Sequence, residues 1–341
     1  MTDLLLLIPL VLCLWGLRPV KGLNTEFLSH GGTNALRGAL ALGILFVHIG
    51  QYCPGGAALA IWEKTGYLLV ALFFFLSGYS LQKQHMTRKD YHKGFLIRRL
   101  LGVLLPYLVV TAVYWSFYRM RGAQYGLMDV LRRFAEGKPM VSFSWFIPAV
   151  LTFYLAFWGL MRLCKQGYST MVLGGGVWFC LYTVLCLWLG WGQWWYVSSF
   201  PVVLGMAWAV YGEAIEQGLK KRYILWLALT VAGLAGVLCL GGQFRSGAMD
   251  ALLKGCAATL FVLAVVLLLY KFRFGNPVLE WLGQLSMEIY LMQGLAIMVL
   301  RSRWIYVNNP VLYGGLIVVL TVVFAIVVRI AFKGIPKKPT R

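Results

Sequence analysis

Apolar residues run through this chain in long blocks, each closed by a short polar or Gly/Pro-containing stretch. The blocks fall at about 3–18, 36–52, 67–82, 100–118, 145–163, 171–190, 195–211, 223–240, 251–270, 281–300 and 311–332. Most approach the roughly 20 residues that a helix needs to cross hydrocarbon. The pattern predicts an all-α, polytopic integral membrane helical bundle. The first block is the shortest. MTDLLLLIPL carries no basic residue ahead of its apolar run, and no convincing small-residue cleavage site follows, so the block reads as a retained helix with its N-terminus outside. No stretch reads as a soluble domain or a long linker. The expected organisation is an extra transmembrane helix and linker over 1–30, a membrane domain over 31–335 and a basic cytoplasmic tail over 336–341.

Composition agrees with this pattern, since 60% of the 341 residues are hydrophobic and only 12% charged, against about a quarter charged in soluble domains. The net charge of +20 would suit a nucleic-acid partner, but the placement of the cations gives another reason for it. Alternating the spans from an outside N-terminus puts Arg18, Lys21, Arg37, the Lys83–Arg99 segment, Arg162, Lys165, Lys220, Lys221, Arg222, Lys271, Arg273 and the tail from Arg329 inside, which is most of the Lys and Arg. That is the positive-inside asymmetry of a multi-pass protein, expected here in the plasma membrane with the C-terminus inside. No nucleic acid is needed. The exception is the outside loop of 119–144, with Arg119, Arg121, Arg132, Arg133 and Lys138. It reads either as the approach for an anionic substrate or as a solvated interfacial helix. The seven cysteines, at 13, 53, 164, 180, 186, 239 and 256, lie mostly inside apolar spans and form no disulfide framework or metal-ligand spacing.

Ionisable groups are costly in lipid and mark cavities or bundle interiors. In LRGALALGILFVHIG (36–50), Arg37 and His48 are eleven residues apart, which on a helix is about 16 Å of rise and within about 20° of one face. A neutral imidazole there is a candidate general base. The blander readings are a histidine hydrogen-bonded between helices and an arginine snorkelling to the interface. Four further stretches stand in an informative order. GYLLVALFFFLSGYS (66–80) closes on Ser77-Gly78; FLIRRLLGVLLPYLV (95–109) carries Arg98 and Arg99 ahead of Pro106; SWFIPAVLTFYLAF (144–157) opens on Trp145, Phe146 and Pro148. LEWLGQLSMEIYLMQGLAI (279–297) places Ser286, Tyr290 and Gln293 on one helical stripe.

That order resembles the membrane-bound acyltransferase family 3 over residues 33–332, and the resemblance implies ten family helices plus one extra at the N-terminus. Its most specific element is arginine, ten residues, then histidine, here Arg37 and His48. It is supported by FFxLSG at 73–78, the basic pair before Pro106, the WF-P opening at 145–148 and the late WLG…S…YL at 281–291. The sequence departs from the family pattern at Asn34, Gly102, Glu288 and Gln293, where the family often has an acidic residue, a basic residue, a serine and a histidine. Gln293 hydrogen-bonds but does not titrate. The resemblance implies an O-acetyltransferase-like enzyme that uses acyl-CoA, acetyl-CoA in particular, as donor and needs no metal. Its acceptor would be a hydroxyl of a cell-envelope glycan or a lipid-linked carrier. It further implies that His48 assists transfer while Arg37, Arg98 and Arg99 hold the CoA phosphates. Ser77, Trp145, Glu288, Tyr290 and Gln293 are the candidates for contacting substrate or the oxyanion.

The competing reading is a transporter or flippase of an envelope precursor, which would show internal repeats and paired broken helices; no second copy of the 36–110 pattern is visible. A purely structural or receptor membrane protein would leave Arg37 and His48 without a shared cavity, a reading that both lining one polar tunnel would sink. VLGGGVW (172–178) reads as close helix packing, AEGKP (135–139) as a turn, and Glu213 with Glu216 as part of a solvated charge cluster beside Lys220–Arg222.

Overall fold

The computed structural model describes residues 1–333 except 54–55, 165–166 and 245. The expected tail of 336–341 and Lys165 therefore lie outside the described residues. Along the chain run α1 (Leu7–Leu14), α2 (His30–Tyr52), α3 (Ala57–Glu63), α4 (Gly66–Thr87), α5 (Phe95–Met120), α6 (Leu127–Ala135) and α7 (Phe146–Leu163). There follow α8 (Tyr168–Trp188), α9 (Pro201–Gly241), α10 (Gly247–Lys271), α11 (Pro277–Gln284), α12 (Ser286–Val299) and α13 (Pro310–Lys333). The one sheet among the described residues pairs β1 (Arg18–Pro19) antiparallel with β2 (Phe272–Arg273).

Seven of these helices are long and apolar enough to cross a membrane, and nine crossings result if α3–α4 and α11–α12 each count as one bent span. The 41-residue α9 loses helical geometry at Arg222. At 1.5 Å per residue it is about twice as long as hydrocarbon is thick. Read as two spans, it brings the crossings to the ten expected of the family helices. The block at 281–300 differs from the straight crossing that its hydropathy suggests: α11 and α12 meet at 77°. Proline opens α11, and Asn276 caps it by accepting from Leu279 N–H at 3.0 Å.

The first block is shorter as a helix than expected, a 3-10 turn over Thr2–Leu6 followed by α1. Its ends are nevertheless tied to opposite ends of the bundle. Asp3 Oδ1 accepts from Leu59 N–H of α3 at 2.8 Å, while Arg18 pairs with Arg273. Extended residues complete the distance that the helix falls short. Asn276 Nδ2 fastens the segment midway, donating to Leu12 O at 2.8 Å and Trp15 O at 3.0 Å.

At the centre lies α2, whose apolar window is 72% buried, against 6% for α9. Its start is fixed by Ser29, whose Oγ accepts from Gly32 N–H at 3.2 Å. Two helix crossings are so close that only glycine fits. A Cβ at Gly38 would stand 2.0 Å from Leu279 O and one at Gly283 1.9 Å from Asn34 O, locking α2 to α11. Gly78 and Gly205 lock α4 to α9 in the same way, against Val202 O and Phe75 O. The glycine of the FFxLSG signature is thus a packing residue. In VLGGGVW, Gly174 meets Leu160 and Gly175 meets Met206, so that stretch packs closely as its small residues suggest.

Candidate active site

Residues 37, 41, 44, 48 and 51 follow one face of α2, and that face borders two cavities at opposite ends of the bundle. The first has a volume of about 270 Å³ and takes in Arg37, Ala41, Ile44, Ser77, Ser80, Arg99, Phe146, Tyr154, Ser286 and Tyr290. The second, about 660 Å³, takes in Ile44, His48, Gln51, Glu63, Tyr67, Lys138, Phe143, Trp145, Gln193, Trp194, Lys254 and Tyr290. Ile44, Val70 and Tyr290 belong to both and form the partition between them. The helical spacing therefore puts Arg37 and His48 on one face as expected, and the two cavities they line meet midway at Ile44, Val70 and Tyr290.

In the first cavity Arg37 and Arg99 stand without any acidic lining residue. Arg99 is held by the Tyr91 hydroxyl, which accepts from Nη2 at 2.8 Å, and lies 5.9 Å from the Tyr154 ring centroid. Arg37 makes no hydrogen bond or ion pair among the described residues, so its donors face the cavity. Two unneutralised guanidiniums in a half-buried space form an anion site, and their planar forks match phosphate oxygens. Arg98 does not share it. Consecutive helical residues point about 100° apart, and Arg98 is exposed, its Nη2 donating to Tyr91 O at 3.1 Å.

In the second cavity the His48 ring is stacked on Phe143, centroids 3.7 Å apart and planes 17° from parallel. His48 Nδ1 lies 3.4 Å from Gln51 Oε1. An amide oxygen only accepts, so this long contact favours the Nδ1–H tautomer and leaves the Nε2 lone pair as the basic site. Phe143 has φ +65°, a left-handed backbone that costs a bulky residue about 1–3 kcal/mol and persists only where its surroundings enforce it. The enforcement is visible: the Tyr290 hydroxyl donates to Phe143 O and accepts from Phe146 N–H at 3.2 Å. Further out, the buried Asp250 accepts from Gln193 Nε2 at 2.9 Å and Lys254 Nζ at 2.8 Å, fixing two of the lining residues.

A family model described as an acyltransferase domain, that of acyltransferase family 3, matches residues 31–330. The chain belongs to this family. It is a multi-pass membrane acyltransferase. No curated protein and no solved structure matches it.

Within the acyltransferase, the remaining sequence candidates separate by geometry. Ser77 lines the first cavity, but its hydroxyl donates to Phe73 O at 2.8 Å. Tyr290 sits in the partition with its proton committed to Phe143. Trp145 lines the His48 cavity, and its indole N–H has no hydrogen-bond acceptor among the described residues. Two candidates line neither of these cavities. Glu288 Oε1 accepts from Arg329 Nη1 of α13 at 3.0 Å, and Gln293 is fully buried with Nε2 donating to Tyr290 O at 3.1 Å and Oε1 unpartnered. Helical spacing places Gln293 in line with Tyr290, but its side chain is fully buried and bonds back to the Tyr290 carbonyl.

Phe143, Tyr91, Tyr154 and Asp250 were not singled out by sequence. None carries a motif, and aromatics at span ends are ordinary interfacial anchors. In the 119–144 loop, Arg119, Arg121 and Arg133 stack over Trp115, Phe117 and Tyr125, and Arg132 pairs with Glu136 at 3.2 Å. These four arginines fit the interfacial-helix reading. Lys138 differs in lining the His48 cavity. Among the described residues there is no group of His, Cys, Asp and Glu able to hold a metal ion.

Proposed function

We propose that the acyltransferase takes an acyl group, acetyl in particular, from cytoplasmic acyl-CoA at the Arg37 end and passes it to a hydroxyl acceptor at the His48 end. The supporting observation is the pair of opposed cavities sharing one partition of Ile44, Val70 and Tyr290. Arg37 and Arg99 hold the CoA phosphates, and the acyl-bearing pantetheine arm reaches past the partition, whose side chains part to admit it. His48 Nε2 takes the acceptor O–H proton as the oxygen attacks the thioester carbonyl. Collapse of the tetrahedral adduct breaks the C–S bond, and the proton passes to the departing CoA thiolate. A positioned base of this kind contributes about 10² to 10⁴ in rate. Trp145 N–H is the donor best placed to meet the oxyanion, because Tyr290 and Ser77 already bond to backbone carbonyls.

The acceptor cavity carries aromatic faces from Tyr67, Trp145 and Trp194 beside Gln193, Glu63 and three lysines. Flat apolar faces interleaved with hydrogen-bonding groups suit the two sides of a sugar ring, which supports an envelope glycan or a lipid-linked sugar as acceptor. The positive-inside distribution supports an orientation in the plasma membrane with the Arg37 end in the cytoplasm and the N-terminus outside.

Sealed membrane vesicles of opposite sidedness test the donor's route. Radiolabelled acetyl-CoA does not cross the bilayer, so inside-out vesicles carrying the protein should acquire acid-insoluble label and right-side-out vesicles should not. Labelling confined to right-side-out vesicles would reverse the assignment of the two cavities.

A further inference from the structure

At Arg222 the backbone of α9 turns to φ −141° and ψ 39°. A groove of about 660 Å³ opens at this break, between α9 and the end of α10, on the periphery of the bundle. Four cations line it, Lys220, Lys221 and Arg222 from α9 and Lys271 from α10, and no acidic residue does. The nearest acid along the chain, Glu216, does not line the groove and accepts from the Tyr270 hydroxyl at 3.2 Å. Lys271 is held in place, since its Nζ donates to Gly22 O at 3.0 Å and lies 5.1 Å from the Tyr223 ring centroid.

The other walls are apolar and lie deeper. Leu268 is three residues before Lys271, close to one turn further into the span, and Ile224 begins the second half of α9 with 80% of its surface exposed. A level of cations above an apolar wall reproduces the order of a phospholipid, phosphate above acyl chain. Each Lys or Arg near such a surface adds attraction toward an anionic headgroup.

We infer that this groove binds an anionic phospholipid of the surrounding bilayer, its phosphate held by Lys220, Lys221, Arg222 and Lys271 and its chains lying along Ile224 and Leu268. The bound lipid bridges the two halves of α9 to α10 at the point where the helix breaks. The site is separate from both cavities and stands whether or not the proposed transfer reaction is right.

The test uses the full-length protein in nanodiscs of equal parts phosphatidylcholine and phosphatidylglycerol, with retained lipids counted by native mass spectrometry. Wild type should retain phosphatidylglycerol over phosphatidylcholine by about tenfold or more. K220Q/K221Q/R222Q should lose that preference, whereas K220R/K221R keeps it. The exposed pair R88Q/K89Q controls for general basicity and should also keep it. Equal retention of the two lipids by wild type, a reading that needs no variant to fold, overturns the site. So does an equal loss in R88Q/K89Q, or displacement of the lipid by inorganic phosphate, which would make the groove a site for small anions.

Discussion

The His48 imidazole lies flat on the Phe143 ring, 3.7 Å between centroids, and the Phe143 carbonyl is in turn gripped by the Tyr290 hydroxyl from the partition between the two cavities. Orientation of the His48 ring, the proposed base, therefore depends on a residue with a strained backbone and on a tyrosine whose proton is committed to a backbone carbonyl. Phe143→Ala removes the stacking face and leaves the left-handed backbone unchanged. It should lower kcat about tenfold or more with little change in acceptor KM, and Phe143→Tyr should restore most of the rate. Steady-state kinetics on purified protein at matched folded concentration separate this from a fall in stability.

Tyr290→Phe should act in the same direction, since it deletes the donor to Phe143 O and keeps the ring in the partition. A mislaid catalytic group of about 1 Å costs on the order of 10² in rate. If Tyr290 were itself the oxyanion donor, its loss would instead exceed that of Trp145→Phe. The arrangement here predicts the opposite order, Trp145→Phe being the more damaging to kcat.

At the proposed donor end, Tyr91→Phe frees Arg99 from its 2.8 Å hydrogen bond. The expected effect is a rise of several-fold in the KM for acetyl-CoA with kcat nearly unchanged. Arg37→Gln should be more severe, and Arg98→Gln should leave the acetyl-CoA KM where it was.

Much of this was legible in the sequence. The 3.6-residue period alone put Arg37 and His48 on one face, and hydropathy alone located the helices. Arg98 and Arg99 were inseparable because adjacency hides the 100° turn between them. The partner of Glu288 lies 41 residues away at Arg329, a contact that no local pattern encodes. The Phe143 conformation was equally invisible, because a left-handed phenylalanine is imposed by tertiary bonds and disfavoured by local preference. The 77° bend at Leu285 escaped notice since hydropathy averages over both halves of a broken span.

Glu288→Ala should destabilise the protein by about 2 kcal/mol, because it leaves Arg329 facing α12 without its charged partner. Specific activity per folded molecule should be retained. A thermal unfolding series settles this, with Glu288→Leu/Arg329→Leu recovering part of the loss.

Gly78→Ala has a separate consequence. Its new methyl would sit 2.0 Å from Val202 O, so α4 and α9 must move apart, at about 1–3 kcal/mol for overpacking. The yield of folded protein should fall, whereas Gly102→Ala, with open space around it, should be neutral.

The most direct test follows labelled acetyl from acetyl-CoA into the glycan and lipid fractions of membranes carrying wild type, His48→Ala or Arg37→Gln at matched protein levels. Label should appear in one fraction with wild type, vanish with His48→Ala, and return with Arg37→Gln only when acetyl-CoA is raised. Equal label from wild type and His48→Ala would contradict the assignment of His48 as the base and leave it a packing residue beneath Phe143.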